Sequence, residues 1–77
     1  MKLIYSHRTH KGTASIAFNP NNRRFHVFFN GEDLGSYDTA QQAADDIAGG
    51  HTYSHSSGVD TGLLGIPEDV SEWVRHA

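Results

Sequence analysis

Asn30-Gly31 separates two runs of alternating side chains, Arg24–Phe29 and Glu32–Tyr37. Asn-Gly is the pair preferred in two-residue type I′ loops, where both central residues must take positive φ. A loop of that length dictates a pairing as well as a reversal. It sets Phe29 against Glu32, Val27 against Leu34 and Phe25 against Ser36. Upstream, residues 13–19 alternate too, with Ala14, Ile16 and Phe18 on one side and Thr13, Ser15, Ala17 and Asn19 on the other. Asn19-Pro20-Asn21-Asn22 between these runs is turn chemistry: proline presets φ for the second position, and asparagine tolerates left-handed backbone. A four-residue first loop places Phe18 opposite Phe25 and Ile16 opposite Val27, so both turns deliver the apolar residues to one face.

A helix follows. Thr39 suits the N-cap, with Gln42 returning the bond as a capping box. Ala40, Ala43, Ala44, Ile47 and Ala48 make a narrow stripe of small side chains, and Gly49-Gly50 ends it. Gln41, Gln42, Asp45 and Asp46 form the solvated side. Residues 49–62 are polar and lack periodicity, and so long an irregular stretch in a small domain implies either a functional loop or a structured wrap. A second short helix is predicted from Ile66-Pro67-Glu68-Asp69, with Val70, Trp73 and Val74 as its apolar face and Leu63, Leu64 and Ile66 adding to it. Leu3-Ile4-Tyr5 can extend the sheet to a fourth strand, and His7 to Gly12 reads as a basic loop. The sequence thus predicts one α+β domain over residues 1–77: a β-β-β-α core at 13–48, a polar loop at 49–62 and a helical tail at 63–77.

At 77 residues such a domain buries a thin core, and every large apolar side chain is needed for packing. There is no cysteine, which removes disulfides and thiolate metal sites and points to a reducing compartment, the cytoplasm. No apolar run has the length of a signal-peptide core or a membrane span. The net charge of −3 hides an asymmetry. Lys2, Arg8, Lys11, Arg23 and Arg24 precede residue 31 with no acid among them, and all 9 acids follow, opposed only by Arg75.

The predicted register leaves an outer sheet face of Ser15, Ala17, Arg24, His26, Phe28, Asp33 and Tyr37. Exposed aromatics and arginine are favoured at interfaces and can stack on bases. Two outcomes compete: the tail folds over this face and buries Phe28, or the face stays available. The 6 histidines raise the question of a metal, notably His51-x-x-x-His55. That spacing needs a helix, which Gly49-Gly50 has just ended, so no metal site is expected and a hydrogen-bonded cluster of Tyr53, His51 and His55 is expected to order the loop. No nucleophile elbow, Walker loop or G-x-G-x-x-G is present, so neither catalysis nor a cofactor is expected.

The run Leu34-Gly35-Ser36-Tyr37-Asp38-Thr39-Ala40-Gln41-Gln42-Ala43-Ala44 resembles the last strand and helix start of AP2-like DNA-binding domains and of the related N-terminal arms of some integrases, over about residues 13–48. The resemblance implies three antiparallel strands on one helix, with the outer sheet face entering the major groove. It nominates Arg24 and Arg23 for that contact, with Arg8 and Lys11 on adjoining loops touching phosphate. Because the chain is acidic overall and lacks catalytic motifs, the leading expectation is a non-enzymatic module that binds a protein partner through Arg24, His26, Phe28 and Tyr37. Nucleic-acid binding through the same face and the basic N-terminal half is the alternative.

Overall fold

The computed structural model describes residues 1–76. Five antiparallel strands, β1 (Lys2–Thr9), β2 (Gly12–Asn19), β3 (Arg24–Phe29), β4 (Glu32–Tyr37) and β5 (Val74–Arg75), lie in the order β4-β3-β2-β1-β5, and one helix, α1 (Ala40–Gly49), covers one side. The predicted α+β class and the β2-β3-β4-α1 core are what the chain adopts.

The β2–β3 register is the predicted one, with Ile16 against Val27 and Phe18 against Phe25. The left-handed residue of that loop is Arg23 (φ 56°) rather than an asparagine. Asn19 and Asn22 instead use their side-chain oxygens to accept from the amides of Asn21 and Arg24, each at 3.0 Å. At the β3–β4 turn Asn30 (φ 49°) and Gly31 (φ 82°) supply the two positive angles, and Phe29 meets Glu32 as predicted.

One step later the register departs from the simple ladder. Phe28 pairs with Asp33 but Val27 with Gly35, so Asp33 and Leu34 together oppose one residue in a β-bulge. Gly35 lies at φ 145°, and its N–H donates to Asp33 Oδ1 at 3.0 Å. Phe25 therefore faces Tyr37 rather than Ser36, and Val27 no longer faces Leu34. The extra residue carries Tyr37 to the helix side, where it packs against the core, and removes it from the outer face on which alternation alone had placed it.

Ala14, Ile16, Val27, Phe29 and Leu34 from the sheet and Ala43, Ala44 and Ile47 from the helix are buried together. The small side chains let α1 lie close over the sheet. Thr39 and Gln42 form the reciprocal capping box, and Gly50 closes the helix in the left-handed conformation at φ 73°. A helix is about 10 Å across and strands lie about 4.8 Å apart, so α1 covers β2, β3 and β4 and leaves the inner side of β1 bare.

The C-terminal segment fills that gap. Ile66 and Trp73 (5% exposed) join the core. The Trp73 indole N–H donates to the Pro67 carbonyl at 2.9 Å, and its ring sits 6.0 Å from that of His7. The Gln41 amide donates to Glu68 O at 2.6 Å and accepts from Val70 N at 3.0 Å, holding the tail to the helix. The predicted second helix shrinks to a single 3-10 turn at Val70–Glu72, and another such turn, Thr61–Leu63, closes the preceding loop. Gln41 takes up one of the amides that a longer helix would need free, and Trp73 turns extended (φ −83°, ψ 160°) so that Val74 and Arg75 can pair with Ser6 and Tyr5. Leu63, expected to add to an apolar helical face, is 79% exposed.

Residues 7–12, read as a basic loop, continue β1 into a hairpin instead. Thr9 Oγ1 accepts from Lys11 N and Gly12 N, both at 3.1 Å, and donates to Gly12 O at 2.8 Å, closing the turn at His10-Lys11. Arg8 is consequently a strand residue, and Lys11 lies in the turn.

Candidate functional site

The tail is anchored on the helix side, and on the opposite face of the sheet Ser15 and Phe28 are half-buried while Ala17 is buried between its neighbours. The register arranges that outer face in rows. Ser6, Ser15, Phe28 and Asp33 lie in one, and Leu3, Ala17, His26 and Ser36 in the next. Arg8, beside Thr13, lies beyond the first row, and Arg24, beside Asn19, beyond the second.

Most of these side chains are fixed by partners. Arg24 donates from Nε to Ser36 Oγ at 2.8 Å, from Nη2 to Ser36 O at 2.9 Å and from Nη1 to Asp38 Oδ1 at 2.8 Å. Its planar fork is thus committed to the strand-to-helix junction. The Asn22 amide donates to His26 Nε2 at 2.9 Å, which places the ring hydrogen on Nδ1, aimed at Asp33 Oδ2 at 2.7 Å. Phe28 stacks beside His26, centroids 6.5 Å apart with 27° between planes. Of the residues singled out in the sequence, Arg24, His26, Phe28 and Arg8 share this face. Lys11 and Arg23 stand in turns at opposite ends of β2, and Tyr37 is on the other side.

At the β4 margin lies a depression lined by His26, Asp33, Gly35, Ser36 and Tyr53. Tyr53 reaches this margin because its N–H donates to Leu34 O at 3.0 Å, and its ring is 79% exposed. Sequence reasoning missed Tyr53 as a member of the surface, because its place is set by a backbone bond to β4 that no residue pattern announces.

The loop is a structured wrap along the edge of β4, a common means of protecting an edge strand. Its organiser is Glu32 rather than a Tyr53–His51–His55 cluster. The Glu32 carboxylate accepts from Ser56 Oγ at 2.6 Å and Ser56 N at 2.9 Å, and the hydroxyl above all, with the backbone amide and nearby His55, holds its pKa below the usual value. His55 sits edge-on to Phe29, centroids 5.5 Å apart, and accepts at Nδ1 from Ser57 N at 3.1 Å. Among the described residues, no group of three or more His, Cys, Asp or Glu side chains is placed to hold a metal ion.

Tyr37 has become a core-side residue with a measurable signature. Burial above all, with a hydrogen bond and the charge of Asp46, pushes its phenol up to about 12. A folded value raised above the unfolded one favours the neutral phenol, so this stabilisation is complete below the ordinary value of 10.0 and is lost as pH rises toward 12. In a spectrophotometric titration a tyrosine step at about pH 12 is expected, and Tyr37→Phe will remove it. If all tyrosines of the native protein ionise together near 10, the assigned surroundings of Tyr37 are wrong.

No family model, curated protein or solved structure matches the chain. The surface has to be read from its own geometry.

Proposed function

We propose that this is a non-enzymatic binding module that recognises a protein partner through its outer sheet face. The observation that carries the reading is the position of the tail: Trp73 and Ile66 dock beside α1, which leaves the half-buried Phe28 outside the core, on the face opposite the helix. Its polar neighbours are already held in place by Asn22–His26–Asp33 and Arg24–Ser36–Asp38 bonds, so binding would order few side chains. The charges on the face are mixed: Arg8 and Arg24 are matched by Asp33 and Asp38. Such a mixture suits another protein surface better than a polyanion, whose phosphates would meet both carboxylates and find Arg24 already committed.

Nucleic-acid binding is the second reading, favoured by Arg8, Lys11 and Arg23, which make no ion pair among the described residues. The two separate in one comparison. A protein retained by the immobilised wild-type chain, and lost with Phe28→Asp but not with Asp45→Asn on the far side of the helix, supports the first. Affinity for random duplex DNA that falls steeply with salt supports the second. Retention of the same protein by Phe28→Asp would remove the outer face from the argument.

A further inference from the structure

We propose that the partner of the outer face is a second copy of this chain, related by a two-fold axis that runs along the strands between β2 and β3. The inference rests on the reading of that face as the binding surface and adds what binds there. Two copies stacked face to face with their strands aligned admit two such axes in the plane of contact. One running across the strands would set β4 over β4 and bring the acidic margin, Asp33 and Asp38, against itself. One running along the strands sets β1 over the partner's β4 and β2 over its β3, so that Arg8 approaches the carboxylate margin twice, once from each copy. The charge pattern selects the second.

Side-chain sizes agree with that choice. The outward positions of β2 are small, Ser15 and Ala17, and those beside them on β3 are large, Phe28 and His26. Rotation about the axis between these strands lays each copy's large column over the other's small one, row by row. In the second row it also brings Leu3, 43% exposed, over the far end of the same row in the other copy. That end is the depression lined by His26, Asp33, Gly35, Ser36 and Tyr53. Outside it, Val74 (60% exposed), paired with Ser6, falls near the exposed ring of Tyr53. A single operation thus gives the exposed apolar residues of the β1–β5 margin an apolar or recessed counterpart.

Four strands of about six residues present roughly 20 by 20 Å, or about 400 Å² of projected face per copy and about 800 Å² for the pair, below the ~1,200 Å² where standard specific interfaces begin and in the range of weak, transient contacts. The dimer is therefore weak and concentration-dependent. Sedimentation across a concentration series should show a monomer–dimer equilibrium for the wild-type chain. Phe28→Asp should weaken it at least ~10-fold, and so should Arg8→Glu and Asp33→Lys, each alone, because each places two like-charge pairs in the contact. An equimolar mixture of Arg8→Glu and Asp33→Lys should associate within about threefold of wild type, since both pairs become attractive again only in the mixed dimer. Recovery in the mixture also shows that both variants are folded. Should Asp33→Lys lose the native spectrum because it breaks the bond to His26, Asp33→Asn with Phe28→Asp still tests the same margin, and unchanged association in both overturns the proposal. A wild-type chain that stays monomeric to millimolar concentration, or a mixture no better than its components, also overturns it. In either case, loss of a retained foreign protein by Phe28→Asp would leave the outer face as a binding surface with a different occupant, whereas no effect there would end that reading too.

Discussion

Trp73→Ala will cost about 3–5 kcal/mol, the usual range for removing a buried aromatic side chain, and will release the segment that carries β5. The chain holds a single tryptophan, and it lies against the inner side of β1, where α1 does not reach. Its removal leaves a void beside His7, frees the Pro67 carbonyl of its 2.9 Å indole bond and takes away the residue from which Val74 and Arg75 turn into the sheet. A domain of 77 residues has a total stability of about 4–12 kcal/mol, so the loss consumes much of it. For a body of this size each kcal/mol moves the midpoint by about 4–8 °C, and thermal unfolding followed by circular dichroism should shift down by ~15 °C or more. Trp73→Phe, which keeps the ring but not the N–H, should lose much less. If Trp73→Ala unfolds within about 1 kcal/mol of wild type, the tail is not locked into the core, and the proposed outer binding face loses its premise.

That premise shows which part of the fold is legible in the residues. The β2–β3 and β3–β4 reversals and the helix were readable because their signals are local: an Asn-Gly pair, a proline flanked by asparagines, and a Thr-x-x-Gln box before a stripe of alanines. The path of the tail was not, since it depends on how wide a sheet one helix can cover. Once β1 is known to extend the sheet, the answer follows, because a single helix shades only part of four strands and the inner side of the outermost one must be covered by something apolar. Only the start of β1, Leu3-Ile4-Tyr5, was legible; its continuation to Thr9 was not, because the reversal turns on His10-Lys11, which carry no turn signal, and is closed by the Thr9 hydroxyl.

The candidate surface was half legible for a related reason. Arg24, His26 and Phe28 follow from simple alternation and share a face. Tyr37 does not, because a single extra residue in β4 reverses the facing of everything after it. Gly35 was the warning: no side chain stands there, and the Tyr37 ring lies close enough that a methyl group on Gly35 would sit 3.3 Å from the phenol oxygen. What no pattern in the sequence conveyed is that Arg24 spends its donors on Ser36 and Asp38, which turns the leading DNA-contact residue into a brace.

The same dependence on one close contact makes Gly12 the most sensitive glycine. Gly12 has φ +149°, a conformation that side chains rarely adopt, and an added methyl group would fall 2.0 Å from Asn30 Oδ1. The Asn30 amide cannot yield without loss, because it accepts from Thr13 N at 2.9 Å and donates to Lys11 O at 3.3 Å, joining the tip of the β3–β4 hairpin to the tip of the β1–β2 hairpin. Gly12→Ala should therefore cost about 2–3 kcal/mol, part from backbone strain and part from these bonds. The two parts separate in a cycle with Asn30→Gly, which removes the amide while keeping a residue that accepts the φ of 49° required there. In the Asn30→Gly background Gly12→Ala should be cheaper by at least ~1 kcal/mol, leaving the strain alone. Equal costs in the two backgrounds would mean that the amide does not join the hairpins, and the register of β1 on β2, which brings Arg8, Ser6 and Leu3 to the outer face, would have to be held by the Thr9 turn alone.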